Sequence, residues 1–157
     1  MNIEKLGHPK CSHSKAFVIS RKIDSEGRLV TKRLHVVYQE VPSFIRALIG
    51  NVASYAGEES IVDPKNKTLT LRTKNLTLNS IALCDELCVY TPLEGDSSKT
   101  NYTKSIHVHG WLFGFLNSQI ENWCVDVDKK NRGNGIAVMD DIIESFSSFM
   151  IPSVNQM

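Results

Sequence analysis

Over most of its first two thirds the chain alternates apolar and polar residues, a period of two that turns one side of each segment toward a core. KAFVISRKI at 15–23 and RLVTKRLHVVYQ at 28–39 flank DSEG at 24–27, which predicts a hairpin with Gly27 in the turn. Further strands are predicted near 53–62, at 68–78 (TLTLRTKNLTL), at 81–90 (IALCDELCVY) and at 101–110 (NYTKSIHVHG). The turn DPKNK at 63–67 and a polar loop, PLEGDSSKT at 92–100, separate them. About six strands joined by hairpin-length connections make an antiparallel meander.

One connection breaks this rule. VPSFIRALIG at 41–50 carries Phe44, Ile45, Leu48 and Ile49 at helical spacing, with Pro42 placed to start a helix and Gly50 to end it. A polar linker is expected between strands, and this one is greasy.

After residue 110 the period changes to 3.6. Leu112, Leu116, Ile120, Trp123 and Val127 form one apolar stripe, with Asn117, Glu121 and Asp126 largely off it. DKKNRGNG at 128–135 is predicted to break the helix. A second stripe follows at Met139, Ile142, Ile143, Phe146 and Met150, opposite Asp140, Asp141 and Glu144, and Pro152 ends it. Two amphipathic helices after a single sheet must bury their stripes on one face of it. The fold class is α+β: a curved antiparallel β-meander backed by C-terminal helices, with a short helix between strands. At 157 residues the chain is one domain.

Composition narrows the function. Hydrophobic content of 41% and charged content of 22% are those of a folded globular domain. A net charge of +1 speaks against bulk nucleic-acid binding and leaves room for a local basic patch. No apolar run is long enough to cross a bilayer and residues 1–15 hold no signal core, so the sequons at Asn66, Asn75 and Asn101 read as chance. Cys11, Cys84, Cys88 and Cys124 form neither a CxxC nor a zinc pattern and read as reduced, structural thiols.

Enzyme signatures such as GxSxG, a Walker loop or HExxH are missing, and no catalysis is expected. His107 and His109 share a strand face without an evident third metal ligand and read as solvent-facing. Asp85 and Glu86 fall on opposite faces of their strand. Two features remain. Lys129, Lys130 and Arg132 cluster between the helices, as a solvated loop or an anion site. Arg33 shares a face with Leu29, His35 and Val37; a lone inward arginine is costly unless it meets an anion, and a snorkelling arginine is the alternative. With the greasy connection, these point to a carrier of an elongated amphiphile.

The residues also resemble a known family. ALIGNVASYAGEESIVDPKNKTLTLRTKNLTL followed by ALCDELCVYTP resembles the core of the PRELI domain, and ISRKIDSEGRLVTKRL resembles its second-strand region. The LIG after the short helix and the SIVDP turn are nearer to the slowmo branch. The resemblance covers about residues 17–110 and continues through IENW at 120–123 to the last helix.

It implies transfer of an anionic glycerophospholipid, phosphatidylserine or phosphatidic acid, between mitochondrial membranes. The implied setting is the intermembrane space, with transient contact at the membrane surface and a small twin-CX9C helical partner. No cofactor, metal or nucleic acid is implied. The implied fold encloses a lipid cavity, with Pro42, Phe44, Ile45, Leu48 and Ile49 in a mobile lid. Arg33 matches the arginine of a [TS]-x-RL motif, and Lys129, Lys130 and Arg132 match a basic stretch facing the lipid phosphate. Departures are GHPK at 7–10 in place of a YPNP-like turn, and Val37 or Tyr38 at a position that is basic in some members. His13 has no secure equivalent. The family's first strand and the following helix are expected to be missing, and the alternatives to transfer are a non-transferring interaction module and an inactive truncated form.

Overall fold

The computed structural model describes residues 5–6, 14–37, 41–50, 53–111 and 114–150. A two-residue strand, β1 (Lys5–Leu6), precedes six long ones: β2 (Ser14–Ile23), β3 (Leu29–Val37), β4 (Ser54–Asp63), β5 (Thr68–Asn75), β6 (Ala82–Leu93) and β7 (Asp96–Gly110). All pair antiparallel with their sequence neighbours, so sheet order follows chain order. Helix α1 (Ser43–Ile49) fills the connection between β3 and β4, and α2 (Phe115–Met150) follows the sheet. The α+β architecture with a short helix between strands is the one that the hydrophobic pattern predicts.

Turn chemistry sets the register. Asp24 Oδ1 accepts the backbone N–H groups of Glu26 and Arg28, and Gly27 takes φ +79° to close the β2–β3 hairpin. Asp63 accepts the N–H of Asn66 in the same way between β4 and β5. The expected loop at 92–100 is instead the tip of a hairpin. Pro92 pairs with Thr100 and Leu93 with Asp96, around Glu94 and Gly95, whose φ of +81° makes the reversal. Its Ser/Thr-rich composition reads as polar but suits an extended edge, so pairing runs almost to the tip.

The two faces differ in chemistry. Outward, Lys32 pairs with Glu59, and Asp85 is gripped by Arg72 and Lys74. His107 and His109 are exposed on this side, and His109 meets the edge of Trp111. Inward, Ala82 of the sheet packs with Ile45 of α1 and Ile120 of α2 in a small core, joined by Phe44, Trp123 and Cys124. Gly110 lets α2 begin close to the sheet: a Cβ there would meet Asn117 Oδ1 at 3.1 Å.

The predicted break at 128–135 does not occur, because α2 is one helix of 36 residues. Two glycines cost a helix about 1 kcal/mol each relative to alanine, which weakens it without the steric stop that proline supplies. Asp128 also accepts from Arg132 one turn on, at 3.3 Å, within the first half of the supposed break. The two predicted helices are therefore one.

Ile120 is 2% exposed and touches the lid helix and the sheet together. Ile120→Ala is expected to lower stability by roughly 2–5 kcal/mol, read from the midpoint of urea denaturation at an unchanged slope.

Candidate functional site

Between the inner face of the sheet and the two helices lies a cavity of about 280 Å³. Val37, Ala56, Ala82 and Ile106 supply its sheet wall, and Ile45, Ile120, Trp123 and Val127 its helical wall. The polar groups of this wall are already used. Asn75 accepts the Cys84 N–H at 2.8 Å and donates to the carbonyls of Ala82 and Thr77. Burial raises the Cys84 thiol and lifts that of Cys124 to about 11, so both present neutral, weakly polar surface. Such a space favours hydrocarbon.

One edge of the cavity is charged. Lys104 of β7 reaches Asp128 of α2 at 2.6 Å and Glu86 of β6 at 2.9 Å, and Arg132 joins Asp128. Farther across the inner face, Arg33 donates to Glu58 at 2.5 Å and Ser60 at 2.8 Å, with His35 Nε2 lying 3.2 Å from the same carboxylate. Burial acts to raise the Asp128 carboxyl, and Lys104 and Arg132 outweigh it, so the net shift is downward. Burial likewise opposes Glu58, and His35 and Arg33 bring it below the usual carboxylate value. For Lys104 burial favours the neutral amine, but Asp128 and Glu86 raise it overall. Arg33, Lys104 and Arg132 face three carboxylates, leaving the belt formally balanced apart from His35.

Of the sequence-derived candidates among the described residues, Ile45 lines the cavity, whereas Arg33, Lys129, Lys130 and Arg132 do not. Arg33 points inward, as its strand position predicts, but meets Glu58 in the belt rather than the cavity wall. Lys129 and Lys130 are exposed on α2, and Arg132 is half-exposed against Asp128; all three belong to a helix rather than a loop. Of the lid residues, Ile45 is buried in the core, Phe44 packs against it and Pro42 stands at the start of α1. Leu48 and Ile49 fall within α1, and their side chains lie outside the described residues. Sequence reasoning missed Lys104, Glu86 and Asp128. Lys104 was findable, since it shares its strand face with Ile106 and Val108.

Removing one partner of a buried ion pair strands the other. Lys104→Met is expected to lower stability at neutral pH by roughly 3–5 kcal/mol. Asp128 has its pKa lowered by its cations, so the lost stabilisation is present above the ordinary carboxylate range and disappears as pH falls through it. Thermal melts should therefore show the gap between variant and parent narrowing toward pH 3.

The model of the PRELI-like family matches residues 14–148. Protein slowmo homolog of Dictyostelium discoideum is 33% identical over 141 residues, covering 84% of this chain and 61% of that protein. Protein UPS2, mitochondrial, of Saccharomyces cerevisiae is 31% identical over 134 residues, covering 83% and 58%. PRELI domain-containing protein 1, mitochondrial, of Gallus gallus is 33% identical over 100 residues, covering 62% and 46%. The chain thus spans about three fifths of the first two relatives' length. A meander sheet with a helix in its first long connection, and a match that runs from β2 almost to the end of α2, lead to one conclusion: the chain belongs to the PRELI-like family.

Proposed function

We propose that this protein transfers a glycerophospholipid between mitochondrial membranes, without a chemical step or a cofactor. The observation that carries the reading is the apolar cavity roofed by a short, separate helix. An acyl chain gains about 0.8 kcal/mol per CH₂ on leaving water, so a lipid crosses an aqueous gap only inside such an enclosure. At about 280 Å³ the cavity is slightly below the usual small-molecule range, and two full tails need α1 to swing outward. Phe44 and Ile45 then exchange one apolar setting for another, the cavity mouth for the membrane interface. Each burial is worth roughly 1.5–3 kcal/mol, so the exchange is close to neutral.

The head is anionic, phosphatidylserine or phosphatidic acid. Arg33 takes its phosphate by exchange with Glu58, while Lys129, Lys130 and Arg132 draw the protein to an anionic bilayer. The site of action is the intermembrane space, and a small twin-CX9C helical protein is the partner. Support comes from the family membership and from the names of UPS2 and the chicken relative, which place those proteins in mitochondria.

Transfer of fluorescent phosphatidic acid and phosphatidylserine between liposomes tests the lid. Phe44→Asp should slow transfer on the order of tenfold while leaving the far-UV spectrum intact; undiminished transfer would exclude the lid. Native mass spectrometry after expression should find the parent protein with phospholipid bound, whereas a clean apo mass favours a docking module. Lys129→Glu with Lys130→Glu should weaken extraction from anionic liposomes at low salt, and the difference should fade near 1 M salt, where the Debye length is about 3 Å. A deficit independent of salt would instead make the lysines direct headgroup ligands.

A further inference from the structure

His35 is the member of the charged belt that the balance of charge leaves without a task. Strand parity turns it inward, and its direct neighbours across the sheet are alanines, Ala16 on β2 and Ala56 on β4. Two small neighbours leave the imidazole room to lean diagonally toward Glu58. Its Nε2 lies 3.2 Å from Glu58 Oε2, close but not aligned as a hydrogen bond, and this buried nitrogen has no other partner among the described residues. A buried ring nitrogen left unbonded is costly, and one proton would turn the contact into a charge-assisted hydrogen bond.

Glu58 divides its oxygens. Oε1 takes Arg33, and Oε2 faces His35. Arg33 has a second hold, donating to Ser60 Oγ at 2.8 Å, and Ser60 is buried. The guanidinium therefore keeps its inward aim when Glu58 lets go.

The charges then decide the chemistry. Arg33, Glu58 and a neutral His35 sum to zero. An anion that joins them leaves an unbalanced negative charge where the Glu58 side chain is 11% exposed, which is expensive. A proton on His35 restores the balance and gives the displaced carboxylate a new partner. Burial acts to raise the Glu58 carboxyl, but His35 and Arg33 bring it below its usual value, so the carboxylate is a poor place for that proton. Histidine is the side chain that ordinarily changes charge between about pH 5 and 8. Elsewhere on the inner face, β2 offers Arg21 one row beyond Arg33, β5 offers the uncharged Thr73 and Asn75, and Glu86 of β6 is held by Lys104. Arg46 of α1 donates to the Val41 carbonyl. No ion pair joins any of these to Glu58 among the described residues.

We infer that His35 is an exchange partner built into the anion site: once protonated it takes Glu58 from Arg33, and Arg33 is released to bind a phosphate. Anion uptake and proton uptake are then linked, each favouring the other, so binding tightens as pH falls through the histidine range. The inference rests on the headgroup role of Arg33 proposed above and adds to it a positioning residue. Loading is favoured at an anionic bilayer, whose surface draws protons, and release is favoured away from one.

The test measures extraction of phosphatidylserine from liposomes by the full chain between about pH 7.5 and about pH 5.5, where histidine changes charge and a phosphodiester does not. Extraction should strengthen on the order of tenfold as pH falls. His35→Gln, neutral at every pH, should lose that gain and extract equally at both ends of the range. Glu58→Gln frees Arg33 without a proton and should raise extraction at pH 7.5 to the parent's acid level, with melting curves confirming that each variant is folded. A flat profile in the parent, or an acid gain that survives in His35→Gln, would overturn the exchange. Arg33→Gln separates the two readings. Unchanged extraction at pH 5.5 in that variant removes Arg33 from the headgroup site and the exchange with it. Lost extraction there, beside a His35→Gln profile like the parent's, overturns the exchange alone.

Discussion

Lys104 on β7 meets Asp128 on α2 at 2.6 Å, and on that bridge rests the position of the helix relative to the sheet. Nearer the start of the helix, Ile120 seals against Ala82 and Ile45. Between these two anchors the wall residues are too small or too far apart to fill the space, and a cavity remains. An ion pair suits this task better than another apolar contact. It fixes a distance, whereas a greasy contact draws surfaces together until they touch. The lysine is also held twice, by Glu86 as well as Asp128, so the bridge is braced within the sheet before it reaches the helix.

The same bridge constrains any anionic ligand. Within the belt, every cation among the described residues already has a carboxylate partner, Glu58 for Arg33 and Asp128 for both Lys104 and Arg132. A phosphate entering the belt displaces one of them, and the displaced carboxylate must find water or a proton. Exchange of this kind yields modest net affinity, because one largely buried ion pair replaces another. That is compatible with cargo that has to leave. On the proposed reading it also puts Glu58 and Glu86 on an equal footing with the cations in the choice of an anionic head.

What the sequence disclosed followed the range of each interaction. Hairpins were legible, because Asp24 with Gly27 act within a few residues and period two needs no partner. Helix α1 was legible from four apolar residues between a proline and a glycine. The inward turn of Arg33 was legible from strand parity, but its partner Glu58 stands 25 residues away, and only the β3–β4 register brings them together. The unity of α2 was not legible. Local rules treat two glycines among charged residues as an end, whereas Asp128 is held by Lys104 from another element and by Arg132 in the turn just before the glycines. Lys104 itself escaped notice because its strand reads as polar over most of its length, even though its face is shared with Ile106 and Val108.

Helix α1 belongs to a different energetic class from α2. It has seven residues, no side-chain cap at its start and no acidic residue in its first turn; at its end Gly50 donates back to Arg46. A helix this short does not persist alone in water, since nucleation outweighs what a few hydrogen bonds return. Its order must come from the burial of Ile45, with Phe44 beside it. Lifting α1 from the cavity therefore removes the support for its helical form, and opening and melting become one event unless a second apolar surface receives it. A bilayer interface is such a surface. On the transfer reading proposed above, this makes α1 a gate that opens only where there is something greasy to open onto, with contents exposed at a membrane and sheltered between membranes.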